Sequence, residues 1–180
     1  VGVVVIIDRQ QNFICSLPVK SLYTKTDIIR YRLNEIKKTK KTNLCFSADM
    51  EYPTQVIGIL EKIGGHIAVC KIHYDIMINQ SVFKEKLIAS SIKHNFLIME
   101  DRKFFDISYI VEKQYKTFQN WVDLVTVHSM VNENVITKLS GVMLVANMSN
   151  NTYDLTDRAI KLATNNPKNV IGFITQIRID

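Results

Sequence analysis

Asp101, Lys103 and Asp106 follow one another at spacings of two and three, and Lys71 and His73 stand two apart in an earlier apolar stretch. Side chains on a strand alternate faces, so Asp101 and Lys103 share one face, as do Lys71 and His73. Glu100 and Arg102 then face the opposite side. Like charges confined together repel, and burial disfavours ionisation, so each carboxylate needs a cation beside it. An alternating array of lysine and aspartate meets that need. It keeps every lysine protonated and leaves one ammonium fixed where negative charge could develop in a reacting molecule. A salt-bridge network at a strand end with no catalytic role is the other reading of the same residues.

Such an array needs a scaffold that brings several strand ends to one place. Apolar runs occur at Asn43–Met50, His66–His73, Phe96–Lys103, Leu124–Ser129, Val142–Met148 and Asn169–Thr175. Between them lie stretches with helical spacing, such as Val56, Ile59, Leu60 and Ile63, or Leu155, Ala159, Ile160 and Ala163. Strands this apolar are buried on both faces, which suits a parallel sheet covered by helices. Alternation of six strands with helices indicates an α/β fold. No Gly-rich phosphate loop of the GxGxxG or GxxxxGK type follows an early strand, which disfavours a doubly wound sheet. Polar residues gather instead at the ends of the runs: Asp49, Lys71, His73, Asp101, Lys103, His128 and Ser149. That is where a (β/α) barrel of the TIM type keeps its chemistry. Eight units close such a barrel and this sequence supplies about six, so an incomplete barrel with two open edges is expected.

The formal net charge is +6, and the densest basic cluster is Lys37, Lys38, Lys40 and Lys41. No aromatic residues interleave with those lysines, so they read as a solvated helix end or linker rather than a nucleic-acid platform. Cys15, Cys45 and Cys70 form no CxxC pair, and the last two sit inside apolar runs as reduced core thiols. The apolar start, Val1–Ile7, is too short to span a bilayer and lacks a signal-peptide pattern, so no membrane role and a cytoplasmic location are expected. Residues 1–42 do not fit the repeat. Val3–Ile7 reads as a strand, Thr26–Ile36 as a lysine-ended helix and Lys37–Thr42 as the entry to the first barrel strand. His128 reads as a strand-end histidine with a backbone partner, and Trp121 as a packing residue.

Several runs resemble one family. Phe96–Ile107, FLIMEDRKFFDI, is similar to the FEDRKFADI signature of orotidine 5'-monophosphate decarboxylases. Asn43–Met50 resembles that family's first strand, and Ile63–Ile76, with its KxHxDI core, resembles the second. Asp123–His128 is similar to DxxNAH of the fourth strand, Ala146–Ser149 to AEMS of the fifth, and Val170–Phe173 to VIGF of the sixth. The resemblance covers 43–180 and implies decarboxylation of orotidine 5'-monophosphate to UMP and CO2 without metal or organic cofactor. It implies catalytic roles for Lys103, Asp101, Asp106 and Lys71. Asp106 would come from the second subunit of a homodimer. Ser47, Asp49, His73 and Ser149 would bind the ribose and pyrimidine. The sugar-phosphate aldolases and decarboxylases share a shorter DxKxxD and need a metal, but lack the surrounding EDRKF and the KxH strand.

Val3–Gln11 resembles the late strand of orotate phosphoribosyltransferase, the domain that precedes the decarboxylase in UMP synthases. Residues 1–42 are therefore expected to be the end of that domain plus a linker. Departures from the family's pattern also stand out. Its IGNT after the last aspartate is Ile107, Ser108, Tyr109 and Ile110 here, and the stretch over the pyrimidine is shortened to Ala146–Asn150 followed directly by Asn151–Thr152, with Asn147 in place of its glutamate. No counterpart to its phosphate loop or its VGRG strand follows the sixth run. A second reading follows from these departures: a catalytically impaired remnant that binds a nucleotide or a partner chain.

Overall fold

The structure is a computed structural model that describes residues 23–149 and 153–179. The expected strand at Val3–Ile7, Cys15, and Asn150–Thr152 of the shortened stretch lie outside the described residues. Every apolar run of the sequence contains a strand: β1 (Cys45–Ala48), β2 (Val69–Ile72), β3 (Leu97–Phe104), β4 (Leu124–His128), β5 (Val142–Val145) and β6 (Val170–Ile174). They form a single parallel sheet in the order of the chain. The helices between them are α2 (Pro53–Ile63), α3 (Gln80–His94), α4 (Ser108–Tyr115), the one-turn α5 (Glu133–Ile136) and α6 (Thr156–Asn165). A doubly wound sheet would reverse direction part-way, whereas this unbroken order is that of a barrel wall. Among the described residues β1 and β6 do not pair, so the wall is open.

Strand alternation divides the interior in two. Phe46, Cys70, Ile98, Val125 and Leu144 face outward and pack beneath the helices with Leu60, Phe83, Leu87 and Val111. Cys45, Val69, Leu97, Met99, Leu124, Met143 and Ile171 face inward as a second cluster. Burial on both faces explains why the runs read as almost continuously apolar. Cys45 and Cys70 are free and buried.

Helix α1 (Lys25–Lys40) covers the N-terminal end of the sheet. Thr24 and Asp27 form its capping box, in which the Thr24 hydroxyl accepts from the Asp27 N–H and the Asp27 carboxylate accepts from the Thr24 N–H. Ile29, Leu33 and Ile36 lie on one stripe and join the inward cluster. The helix continues four residues beyond the expected end at Ile36. Lysines are good helix formers, and their charge is favourable near a helix C-terminus. Lys40 is also tied down, donating to the Gly64 and Ile67 carbonyls. Lys25 donates to the Gln119 and Val122 carbonyls, and Arg30 to those of Pro167 and Val170. Gly141, at φ 69°, has no room for a side chain, since a Cβ there would stand 2.1 Å from the Asp123 carbonyl oxygen.

Candidate active site

The polar residues of the strand ends meet at the other end of the wall. Lys71, the third residue of β2, points inward and uses all three of its N–H donors. They reach Asp101 Oδ2 at 3.0 Å, Asp49 Oδ1 at 3.1 Å and His73 Nε2 at 3.3 Å. On β3, Lys103 Nζ lies 2.9 Å from the same Asp101 Oδ2. One chain therefore carries the sequence Asp49, Lys71, Asp101, Lys103 as alternating charges in contact. Lys71 and Asp101 are buried, whereas the Lys103 side chain is one-third exposed at the mouth.

The electrostatics follow from that order. Burial opposes the charge on Lys71, but Asp101 and Asp49 outweigh it and raise its pKa above the ordinary lysine value. Burial likewise opposes the Asp101 carboxylate, and Lys71 and Lys103 outweigh it, so its pKa is lowered. His73 is pushed down by burial and by the neighbouring Lys71 ammonium. A neutral ring can accept at Nε2, which is the nitrogen that faces Lys71.

Lys103 sits in the left-handed region, at φ 49°, which is uncommon for a residue with a side chain. The distortion belongs to a break in register: Glu100 pairs with Val125 and Phe104 with Val127, so four steps on β3 match two on β4. Bulges of this kind re-aim side chains near functional sites. The Lys103 N–H is held by Thr126 Oγ1 at 2.8 Å, and the Thr126 hydroxyl donates to Asp101 Oδ1 at 2.8 Å. Thr126 and Glu100 were not singled out from the sequence as site residues. Glu100 is wholly buried on the outward face, where one carboxylate oxygen accepts from the Tyr74 N–H at 3.0 Å. Burial raises its pKa to about 8.

Among the described residues, the other expected site residues make no side-chain hydrogen bond or ion pair to this cluster. Ser47 is buried on β1 in register with Lys71. Asp106 is exposed and accepts the N–H of Ile107 at 2.7 Å; among the described residues it makes no ion pair. Ser149 is exposed beyond the end of β5. His128 accepts the Met130 N–H at Nδ1, as a strand-end histidine would, and its ring lies against Phe105. Trp121 packs edgewise on Tyr74.

Residues 42–176 match the orotidine 5'-phosphate decarboxylase / HUMPS family. The chain belongs to that family. It is 32% identical over 178 residues to the orotidine 5'-phosphate decarboxylase of Saccharomycopsis fibuligera, covering 87% of this chain and 67% of that protein. It is 34% identical to the uridine 5'-monophosphate synthase of Bos taurus over 172 residues, or 86% of this chain and 36% of that protein. The chain thus spans about two thirds of the fungal relative and about one third of the bovine one. Among solved structures, a decarboxylase of this family from Streptomyces avermitilis, described as putative, superposes with a TM-score of 0.62 at 15% identity, covering 92% of this chain and 74% of that one. The Methanocaldococcus jannaschii decarboxylase, solved with the inhibitor BMP, gives 0.55 at 20% identity, covering 69% and 62%. At these identities the likeness is one of fold: the six-stranded wall is part of the barrel of this family.

Proposed function

We propose that this chain carries the catalytic half of an orotidine 5'-monophosphate decarboxylase site. The observation that carries the reading is the single Asp101 Oδ2 shared by Lys71 at 3.0 Å and Lys103 at 2.9 Å. A carboxylate held ionised beside the substrate's own carboxylate opposes its negative charge, and loss of CO2 relieves that repulsion. The bond from C6 to the carboxyl carbon breaks, CO2 leaves, and the electron pair stays on C6 next to the Lys103 ammonium. Lys103 gives its proton to C6 to form UMP and is reprotonated from solvent. Preorganised charge of this kind is worth more in a water-poor site than in bulk water.

In this reading Lys71 holds Asp101, while Asp49 and His73 meet the ribose hydroxyls from β1 and β2. Ser47 and Ser149 contact ribose and pyrimidine. Asp106 serves the site of a second copy across a homodimer interface. Its exposure supports that role, as do Phe105, Ile107 and Tyr109, which are also exposed around it. Residues 1–42 are read as the end of a phosphoribosyltransferase domain with its linker, on the likeness of Val3–Gln11 to that domain's late strand. The free buried thiols Cys45 and Cys70 suit a reducing, cytoplasmic setting. Among the described residues no helix is long and apolar enough to cross a membrane.

The test is release of labelled CO2 from carboxyl-labelled orotidine 5'-monophosphate by the purified chain, with its mass followed by sedimentation. Turnover by a dimer is expected. A chain that binds the nucleotide and releases no CO2 would favour the impaired, nucleotide-binding remnant.

A further inference from the structure

Thr126 lies in the middle of β4, wholly buried, in register with Met143. A threonine in an apolar strand is ordinarily a β-branched filler. Its surroundings here give the hydroxyl a fixed orientation. The backbone N–H of Lys103 can only donate, and the Asp101 carboxylate can only accept. The single hydroxyl proton must therefore point to Asp101 Oδ1, 2.8 Å away, while a lone pair takes the Lys103 N–H, also at 2.8 Å. Asp101 is thus gripped at both oxygens, by Thr126 on Oδ1 and by the two lysines on Oδ2.

We propose that Thr126 is a positioning residue that ties the left-handed backbone at Lys103 to the Asp101 carboxylate, and so fixes where the Lys103 ammonium stands. The consequence for turnover rests on the decarboxylase reading above; the tie itself does not. A left-handed residue with a side chain persists only where its surroundings hold it. Two groups meet the backbone and carboxylate at this bulge through one oxygen atom. Without that oxygen the Lys103 N–H loses its partner and Asp101 is held through Oδ2 alone. The ammonium at the end of Lys103 would then lose its fixed distance from the reacting carbon.

The experiment compares Thr126→Val, which keeps the shape and removes the hydroxyl, with Thr126→Ser, which keeps the hydroxyl. Amide exchange of the full chain is followed by NMR, together with kcat and KM. In Thr126→Val, protection at Lys103 should fall on the order of tenfold or more while the rest of β3 and β4 stays protected. Displacement of about an ångström at the reacting group should lower kcat by roughly 10- to 100-fold. KM should change by less than about threefold, because no group that contacts the substrate is removed. Thr126→Ser should restore both. Unchanged Lys103 exchange, or a Thr126→Val kcat within about twofold of wild type, overturns the proposal. Should Thr126→Val not fold, Thr126→Cys takes its place with the same expectations, its thiol being a weak hydrogen-bonding group. A wild-type chain that releases no CO2 defeats the decarboxylase reading instead. The tie is then decided by Lys103 exchange alone, lost protection supporting it and retained protection overturning it.

Discussion

The two ends of the sheet are made from the same six strands and use charge in opposite ways. At the N-terminal end, Lys25, Arg30 and Lys40 each donate to two backbone carbonyls, and apolar side chains of α1 fill the space between the strands. Charges there complete the hydrogen bonding of loops that would otherwise leave carbonyl groups poorly satisfied. At the C-terminal end, charges face one another across an open mouth, and the backbone at Lys103 is held in an uncommon conformation. One end is built to hold the sheet together, and the other gives up regular geometry so that a few side chains stand at set distances. The division matches the general one in barrels between a stabilising face and a reactive face.

The sharpest way to break the comparison is Lys103→Ala. Turnover should fall on the order of 10³-fold or more, while the midpoint of thermal unfolding stays close to that of wild type. A large loss of stability with this change would mean that the mouth is structural after all. The converse is Leu33→Ala in α1, where Leu33 is wholly buried. It should cost about 3 kcal/mol in denaturant unfolding and leave kcat per folded molecule unchanged. A change in kcat larger than in stability would show that the ends are coupled.

Glu100 lies behind the mouth and gives a pH signature. Its carboxyl is pushed from the usual glutamate range to about 8 by burial, and one of its oxygens has no hydrogen-bond partner. The folded state therefore favours the protonated form. That contribution to stability is full below the unfolded pKa near 4.5 and is lost as pH rises through about 8. Glu100→Gln stays neutral and keeps an acceptor for the Tyr74 N–H. Its advantage over wild type should grow between pH 5 and 9, by about 4 kcal/mol. Parallel stability curves over that range would rule out a buried neutral Glu100. The smallest effect is expected from Lys38→Ala, whose ion pair with Glu35 is solvent-exposed. It should move stability by less than about 0.5 kcal/mol.

How far these features were legible in the sequence depended on whether their cause was local. Five of the six strands fall within apolar runs and β3 extends one residue past its own, to Phe104, because a strand buried on both faces leaves a continuous apolar record. The meeting of Asp101 with Lys103 was also anticipated, although simple alternation is not what produces it. Lys103 turns at a bulge, and nothing about a lysine announces a positive φ. Thr126 escaped notice because threonine is an ordinary strand residue, and its role depends on a neighbour 25 residues away. The stripe of α1 was visible as a helix, but the surface it covers is assembled from strands that lie as far away as β6. Asp106 shows the same limit from the other side, since its spacing from Lys103 places it at the mouth while its carboxylate faces solvent.

Helix α1 also governs the shape of the sheet. Through Lys40 it is fastened beside the start of β2, through Thr26 to Gly141 ahead of β5, and through Arg30 to the first residue of β6. Sixteen residues of helix form a rod of about 24 Å that neither stretches nor bends easily. It acts as a gauge for the curvature of a wall whose own edges are not joined. The arc that lets Asp49 on one side reach Lys71, and Lys71 reach Asp101, is therefore calibrated from the far end of the strands.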